Sequence, residues 1–321
     1  MKILSIDGGG VRGIIPARIL QEIEDRTGKY SAELFDVVTG TSTGGLLALG
    51  LAKANQQGGS ALFAKDILDV YMNRSKEIFA PPSILWKIKT GFGLWGSKYD
   101  RSAFDEILEE TFGNSLLSKT VVPVFITIYS LEQEKYKPLI SSTLSAQSNK
   151  INDFYLKDIA GATSAAPVLF EPKVFQSPND TISYKGADGG LYADNPSVVG
   201  VMGAYLMQPT LALSSIELVS LGTGEYARGP GKRDNDGATG WIRKKIIGDM
   251  MDAESVMAEA AINAMLQNGN HFRFQPELPD NLISIDDCSD EHLNGLLKLA
   301  EDFIAENSQA INNLCARLTL G

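Results

Sequence analysis

Phe35-Asp36-Val37-Val38-Thr39-Gly40-Thr41-Ser42-Thr43-Gly44-Gly45-Leu46-Leu47-Ala48-Leu49 is the stretch on which the reading of this 321-residue chain turns. A short apolar run, a Gly-x-Ser-x-Gly pentad and a second apolar run predict strand, tight turn and helix in succession. Such a turn holds Ser42 at a helix N-terminus, where the backbone dipole favours negative charge on the serine oxygen. Gly40 and Gly44 lack side chains, so the turn can close and neighbouring segments can approach. Ser42 also fits a plain N-cap, a position that favours serine.

Around this elbow, strand-like runs at residues 3–6 and 35–39 alternate with helical runs at 14–26 and 45–54, the order of an α/β fold with a mainly parallel sheet covered by helices. Further strands are expected at 121–130, 137–141, 182–185 and 216–221. Residues 60–113 read as mostly helical, interrupted by Pro81-Pro82 and Thr90-Gly91-Phe92-Gly93, which fits a mobile lid. A Gly-rich, charged loop is expected at 229–240, then a helix at 241–268 and a late strand at His271-Phe272-Arg273-Phe274. A terminal helix or helix pair follows at 289–318, with Ser289 as N-cap. The expected organisation is one domain over residues 1–280 and a helical extension, 281–321, packed on it.

A formal net charge of -10 argues against a broad phosphate-binding face, so no nucleic-acid polymer is expected as partner. Cys288 and Cys315 have neither zinc-ligand nor disulfide-framework spacing, and no metal or cofactor is expected. No signal-like apolar core follows Lys2 and no apolar run is long enough to span a bilayer, so a cytoplasmic protein is expected.

Two more glycine-rich segments follow strand-like runs. The first, Asp7-Gly8-Gly9-Gly10-Val11-Arg12-Gly13, satisfies the G-x-G-x-x-G pattern of a dinucleotide site. That reading wants an acidic residue at the end of the second strand, whereas Asp36 lies at its beginning. As an oxyanion cradle the segment makes physical sense, because successive glycines can turn backbone N–H groups of Gly8, Gly9, Gly10, Arg12 and Gly13 toward one point beside Ser42. Arg12 itself suits either a brace for the loop or an anion contact. The second segment, Asp188-Gly189-Gly190, places a carboxylate at a turn after a strand, where partial desolvation would raise its pKa into a range useful for accepting the serine proton. With only two histidines in the chain, a Ser42, Asp188, His271 or His292 triad stays open by chain order.

The three segments in this order resemble the patatin-like phospholipase family. The resemblance extends through Ala162-Thr163-Ser164-Ala165-Ala166-Pro167, Asp194-Asn195-Pro196 and Ser220-Leu221-Gly222-Thr223-Gly224, and covers about residues 1–275. It implies a three-layer α/β/α fold and calcium-independent hydrolysis of acyl esters in phospholipids and related lipids. Carried over by motif, Ser42 is the nucleophile, Asp188 the proton acceptor, and Gly9, Gly10 and their neighbours the oxyanion donors; no histidine is needed. Gly161 stands where many relatives have arginine, and the tail beyond about residue 280 matches no motif of the family. Some bacterial relatives are defence effectors switched on by a cyclic nucleotide, a regulatory alternative for the same chemistry.

Residues 81–99 contain three lysines, no acid and a set of large apolar side chains; Trp86, Lys87, Lys89, Phe92 and Trp95 are the candidate membrane contact. Residues 226–248 carry six basic residues against Asp234 and Asp236 and form a second candidate. A lid packed on the body and a solvated loop are the bland alternatives. The expected partner is an acyl-ester lipid at a membrane surface, with homodimerisation open.

Overall fold

The computed structural model describes residues 1–90, 96–132, 135–225, 246–266 and 269–320. The chain runs β1 (Lys2–Ile6), α1 (Ile14–Thr27), α2 (Ser31–Leu34), β2 (Val37–Gly40), α3 (Thr43–Ala52), α4 (Ala64–Ile78), α5 (Ile84–Lys89) and α6 (Ser102–Phe112). The middle of the chain supplies β3 (Val124–Glu132), β4 (Lys135–Ser142), α7 (Thr143–Ser148), α8 (Leu156–Thr163), β5 (Lys173–Gln176), β6 (Ser183–Asp188) and α9 (Ser197–Met207). It closes with β7 (Glu217–Leu221), α10 (Ile246–Met265), β8 (His271–Phe274), α11 (Asp290–Glu306) and α12 (Ser308–Thr319).

One sheet carries all eight strands in the order β5-β6-β3-β2-β1-β7-β8, with β4 paired to β3 off that path. The pairs β1–β2, β1–β7, β2–β3 and β7–β8 are parallel, while β4 and β6 run antiparallel to β3 and β5 antiparallel to β6. Alternate residues face opposite sides of a strand, and here the alternation separates two cores. Leu4, Ile6, Val38, Ile126, Val219 and Leu221 join the larger core with α1, α3, α4, α6, α8, α11 and α12. Ile3, Val37, Phe125 and Leu218 join the smaller one with α9 and the C-terminal part of α10. The result is the expected α/β/α arrangement with layers of unequal size.

The tail packs through Leu293, Leu296, Ala300, Ile304, Ile311, Leu314 and Leu318 into the larger core, and Lys2 Nζ donates to the Leu318 carbonyl at 2.8 Å. Ser289 caps α11, its Oγ accepting from His292 N. β5 and α8 were absent from the sequence reading; each is short, and β5 has a single buried residue, Phe175. The expected lid at 90–93 and the loop at 229–240 lie partly or wholly outside the described residues.

What matters for the site is how β3 is used. Its residues 125–132 pair with β4 along one edge; on the other, Val38 to Gly40 of β2 oppose Val124 to Ile126, and Asp188 of β6 opposes Ile128. The ends of β2 and β6 therefore meet along one edge of β3, two residues apart, about 7 Å at the rise of a strand.

Candidate active site

Ser42 sits between β2 and α3 with φ 53° and ψ −122°, a backbone conformation that costs a non-glycine residue about 1–3 kcal/mol. The surroundings leave it no alternative. A Cβ on Gly40 would lie 2.2 Å from the Gly44 carbonyl oxygen, and one on Gly44 would lie 2.1 Å from that of Ile6. The Ser42 N–H donates to Thr163 Oγ1 at 2.9 Å, and Thr41 Oγ1 pairs with Thr127 Oγ1 of β3 at 2.7 Å. The elbow is thus pinned by α8 on one side and by the central strand on the other.

Ser42 Oγ donates a 2.6 Å hydrogen bond to Asp188 Oδ2. The other carboxylate oxygen, Oδ1, accepts from Gly190 N at 2.8 Å, and the Asp188 N–H is held by the Ala165 carbonyl at 3.0 Å. Asp188 is 3 % exposed, and burial pushes its carboxyl up to about 6, opposed by the bonds from Ser42 and Gly190. A Cβ on Gly189 would lie 2.1 Å from Thr127 Oγ1, so only glycine lets this turn lie against β3.

The glycine loop after β1 lies beside this pair, since the Cβ position of Gly8 is 3.5 Å from Ser42 Cβ. Gly8 N donates to the Asp194 carbonyl at 3.0 Å, and Thr223 Oγ1 donates to the Gly8 carbonyl at 2.5 Å. Arg12 braces the loop: its N–H and Nε both donate to the Gly9 carbonyl, at 3.2 and 3.4 Å. Gly13 lies close against Thr43 of α3 and Tyr71 of α4, where a Cβ would collide. Gly9 and Gly10 have φ of 155° and 59°, and a side chain at either would strike Thr223 or the Ile285 carbonyl.

Four charged residues around the loop carried no role in the sequence reading. Asp7 makes a 2.6 Å ion pair with Arg273 of β8, and burial raises its carboxyl despite that partner. Asp194 presents a buried Oδ1 with no hydrogen-bond partner among the described residues, and its carboxyl is held well above the usual range by burial, with Asp7 and Asp188 adding to the effect. Glu254 of α10 accepts from Asn195 N at 3.0 Å, and burial pushes its carboxyl up to about 7. Asp7 and Asp194 lay inside quoted motifs and Arg273 inside the expected late strand, each without a role, whereas α10 delivers Glu254 from a segment in which no residue was singled out.

Neither histidine reaches the Ser42–Asp188 pair. His271 opposes Leu218, which itself opposes Ile3, three residues upstream of the end of β1, and its Nδ1 pairs with Asn263 at 2.8 Å. The His292 ring nitrogens lie 3.2 and 3.0 Å from the carbonyl oxygens of Asn281 and Ser284. The dinucleotide reading fares no better, because Asp36 stays at the opening end of β2, where it accepts from Lys2 N. The space above Gly161 is taken by Arg101, whose Nη2 donates to the Gly161 carbonyl at 3.3 Å.

Of the candidate membrane contacts, Trp86 is partly buried, its indole N–H donating to the Ser97 carbonyl at 3.2 Å. Phe92 and Trp95, and the side chains of Lys87 and Lys89, lie outside what is described. Among the described residues no helix is long and apolar enough to cross a membrane.

Patatin-like protein 2 of Oryza sativa subsp. indica is 29% identical over 97% of this chain and 85% of its own length. "Probable inactive patatin-3-Kuras 1" of Solanum tuberosum is 28% identical over 97% and 88%. Patatin-like protein 4 of Arabidopsis thaliana reaches 36% identity over 62% of this chain and 51% of its own. Two of these alignments take in the C-terminal tail that matched no motif. The crystal structure of VipD from Legionella pneumophila superposes with a TM-score of 0.46 at 15% identity, over 98% of this chain and 66% of that one. Residues 4–198 match the family described as Patatin-like phospholipase, and this span holds the elbow, the glycine loop and Asp188. The chain therefore belongs to the patatin-like phospholipase family, a membership that implies lipid acyl hydrolase chemistry.

Proposed function

We propose that this protein is a phospholipase A or lysophospholipase type of lipid acyl hydrolase that works through a Ser42–Asp188 dyad. The observation that carries the reading is the 2.6 Å hydrogen bond from Ser42 Oγ to a buried carboxylate whose pKa lies near 6. At neutral pH that carboxylate is ionised and able to accept a proton, and it is basic enough to share one in the transition state.

In the first half-reaction Asp188 Oδ2 takes the Ser42 proton as Oγ attacks the ester carbonyl carbon. The negative charge that develops on the carbonyl oxygen is met by the amides of Gly9 and Gly10 and by the N-terminal end of α3. Collapse of the tetrahedral species expels the alcohol, which leaves with the proton from Asp188, and an acyl group remains on Ser42. Water then repeats the sequence, giving its proton to Asp188 and releasing the fatty acid. The strained elbow keeps Oγ at the end of the sheet, where Asp188 and the loop converge on it.

Two helices, α5 and α10, carry exposed apolar side chains. Ile84 and Leu85 on α5 are 76% and 79% exposed, and Met250 and Met257 on α10 are 62% and 69% exposed. These residues suit contact with lipid, with Met250 next to Met251, whose methyl group lies over Gly190.

The test is release of fatty acid from mixed phospholipid vesicles with and without EDTA, comparing the intact chain with Ser42→Ala and Asp188→Asn. The expected result is EDTA-insensitive release that falls by about 10³-fold or more in both variants. Full activity in Ser42→Ala would overturn the dyad. Sedimentation of Leu85→Asp and Met257→Asp with the same vesicles tests the contact surface.

A further inference from the structure

Between Gly8 and α10 lies a single peptide group, the one joining Asp194 to Asn195. Its carbonyl oxygen accepts the Gly8 N–H at 3.0 Å, and its N–H donates to Glu254 Oε2 at 3.0 Å. A peptide unit is rigid and planar, with its C=O and N–H on opposite edges, so the two bonds form one line: Gly8 N–H to peptide to Glu254 carboxylate. A carboxylate at the end of such a chain polarises the amide and makes its carbonyl a better acceptor. The Asp194 backbone also favours the ionised form of Glu254.

We infer that Glu254 is a positioning residue of the oxyanion loop, acting through the 194–195 peptide on Gly8 and so on the amides of Gly9 and Gly10 that follow. This rests on the dyad and the loop proposed above. The rest of the environment is arranged to keep that peptide in place. Asn195 Oδ1 accepts from Ser197 N and Oγ, which fixes the far side of the segment. Thr223 holds the Gly8 carbonyl, so this residue is gripped at both its polar atoms. Met251, one helical turn before Glu254, packs over Gly190 and seats the same part of α10 on the acid turn.

The charges around Glu254 come from every neighbouring element. Asp7 follows β1, Asp188 ends β6, Asp194 and Tyr192 lie in the turn after it, Arg12 lies in the glycine loop, Arg273 is on β8 and Glu259 is on α10 itself. Burial is the main cost of ionising Glu254, the Asp7 charge adds to it, and the carboxyl titrates near 7; among the described residues of this group the cations are Arg12 and Arg273. Its ionised form is the one that holds the chain of bonds taut. As pH falls, the line therefore slackens through about 7, and the dyad loses its base through about 6.

The experiment measures hydrolysis of a soluble short-chain p-nitrophenyl ester and the rate of Ser42 labelling by a fluorophosphonate, at pH 5–9. The proteins are full-length wild type, Glu254→Ala, Glu254→Gln and Ser42→Ala. For Glu254→Ala we expect kcat and labelling rate to fall by about 10- to 100-fold with KM within about twofold, the size of effect that follows a misplaced oxyanion donor. Glu254→Gln mimics the protonated acid, with a neutral carbonyl oxygen that accepts more weakly from Asn195, so at pH 8 it should lie between wild type and Glu254→Ala. Its acid limb should follow one proton, where wild type follows two. Wild-type rates in Glu254→Ala, or a two-proton limb in Glu254→Gln, would overturn the inference. If Glu254→Ala fails to fold, the limb of Glu254→Gln decides alone. Undiminished turnover in Ser42→Ala would instead bring down the dyad on which the inference stands; a silent Ser42→Ala beside an unaffected Glu254→Ala would bring down Glu254 only.

Discussion

The Ser42 N–H donates to Thr163 Oγ1 at 2.9 Å across 121 residues of sequence, tying the strained elbow to the last residue of α8. Replacing Thr163 with valine keeps the shape and removes the acceptor, which leaves a buried N–H unpaired at a cost of about 1–3 kcal/mol. Thr163→Val should lower the unfolding midpoint accordingly and reduce ester hydrolysis by about tenfold or more, since 1.4 kcal/mol of misplacement at Oγ is a factor of ten in rate. Wild-type kinetics in a destabilised Thr163→Val would show that the bond supports the fold without positioning the serine.

Asp188 is predicted to be costly to stability at the pH where it works. Its carboxyl titrates at 3.8 in the unfolded chain and about 6 in the folded one, because burial disfavours the charge. A raised folded value means that the favourable contribution is complete below 3.8 and lost as pH rises through 6, a swing of about 3 kcal/mol. Asp188→Asn should therefore be inactive yet gain stability relative to wild type between pH 4 and pH 8. Urea unfolding at pH 4, 6 and 8 checks this; a gap between the two proteins that does not widen with pH would refute the burial argument.

Glycine 44 and glycine 28 should respond very differently to alanine. At position 44 a Cβ would meet backbone oxygens of Ile6 and Asp7 at 2.1 and 2.7 Å, and neither can move without breaking β1 from its neighbours. Gly28 caps α1 with φ 67° and nothing within 4 Å, so alanine there carries only the left-handed strain of about 1–2 kcal/mol. Gly44→Ala should give insoluble or inactive protein, and Gly28→Ala an active protein with a modestly lowered melting temperature.

A histidine-free mechanism makes a further prediction. His271 stands toward the opposite end of the sheet from Ser42, and burial pushes its imidazole down to about 4, so it is neutral at working pH. His271→Gln should leave kcat/KM within about twofold of wild type, and the pH profile should show no inflection that this substitution removes. A loss of about 10³-fold or more, the effect of removing a triad base, would reopen the triad.

The strand, pentad and helix at residues 35–49 were readable because each is local: β-branched residues, glycines in a tight turn and helix formers act on their immediate neighbours. Helix α1 was legible in the same way, as the helical run at 14–26 that the structure extends to Thr27. The sequence reading of the glycine loop named five residues, and two of their N–H groups are engaged within the fold, Gly8 with Asp194 and Arg12 with Gly9. It offered Gly8, Arg12 and Gly13 as donors alongside Gly9 and Gly10, whereas Thr223, Asp194 and Tyr71 come from elsewhere to occupy the surroundings of Gly8 and Gly13. β5 escaped notice because an edge strand with one buried side chain has almost no pattern to read.

By itself the sequence determined the α/β class, the elbow around Ser42 and the candidacy of Asp188, since these follow from short-range patterning and from glycines that admit conformations other residues resist. Only the tertiary structure decided that Ser42 and Asp188 share a hydrogen bond, because their meeting depends on β2 and β6 ending two residues apart along the same edge of β3. It also decided that the histidines stand aside and that Glu254 meets the Asn195 amide. Pairing register and helix packing are set by cooperative burial over the whole chain, which no local window contains.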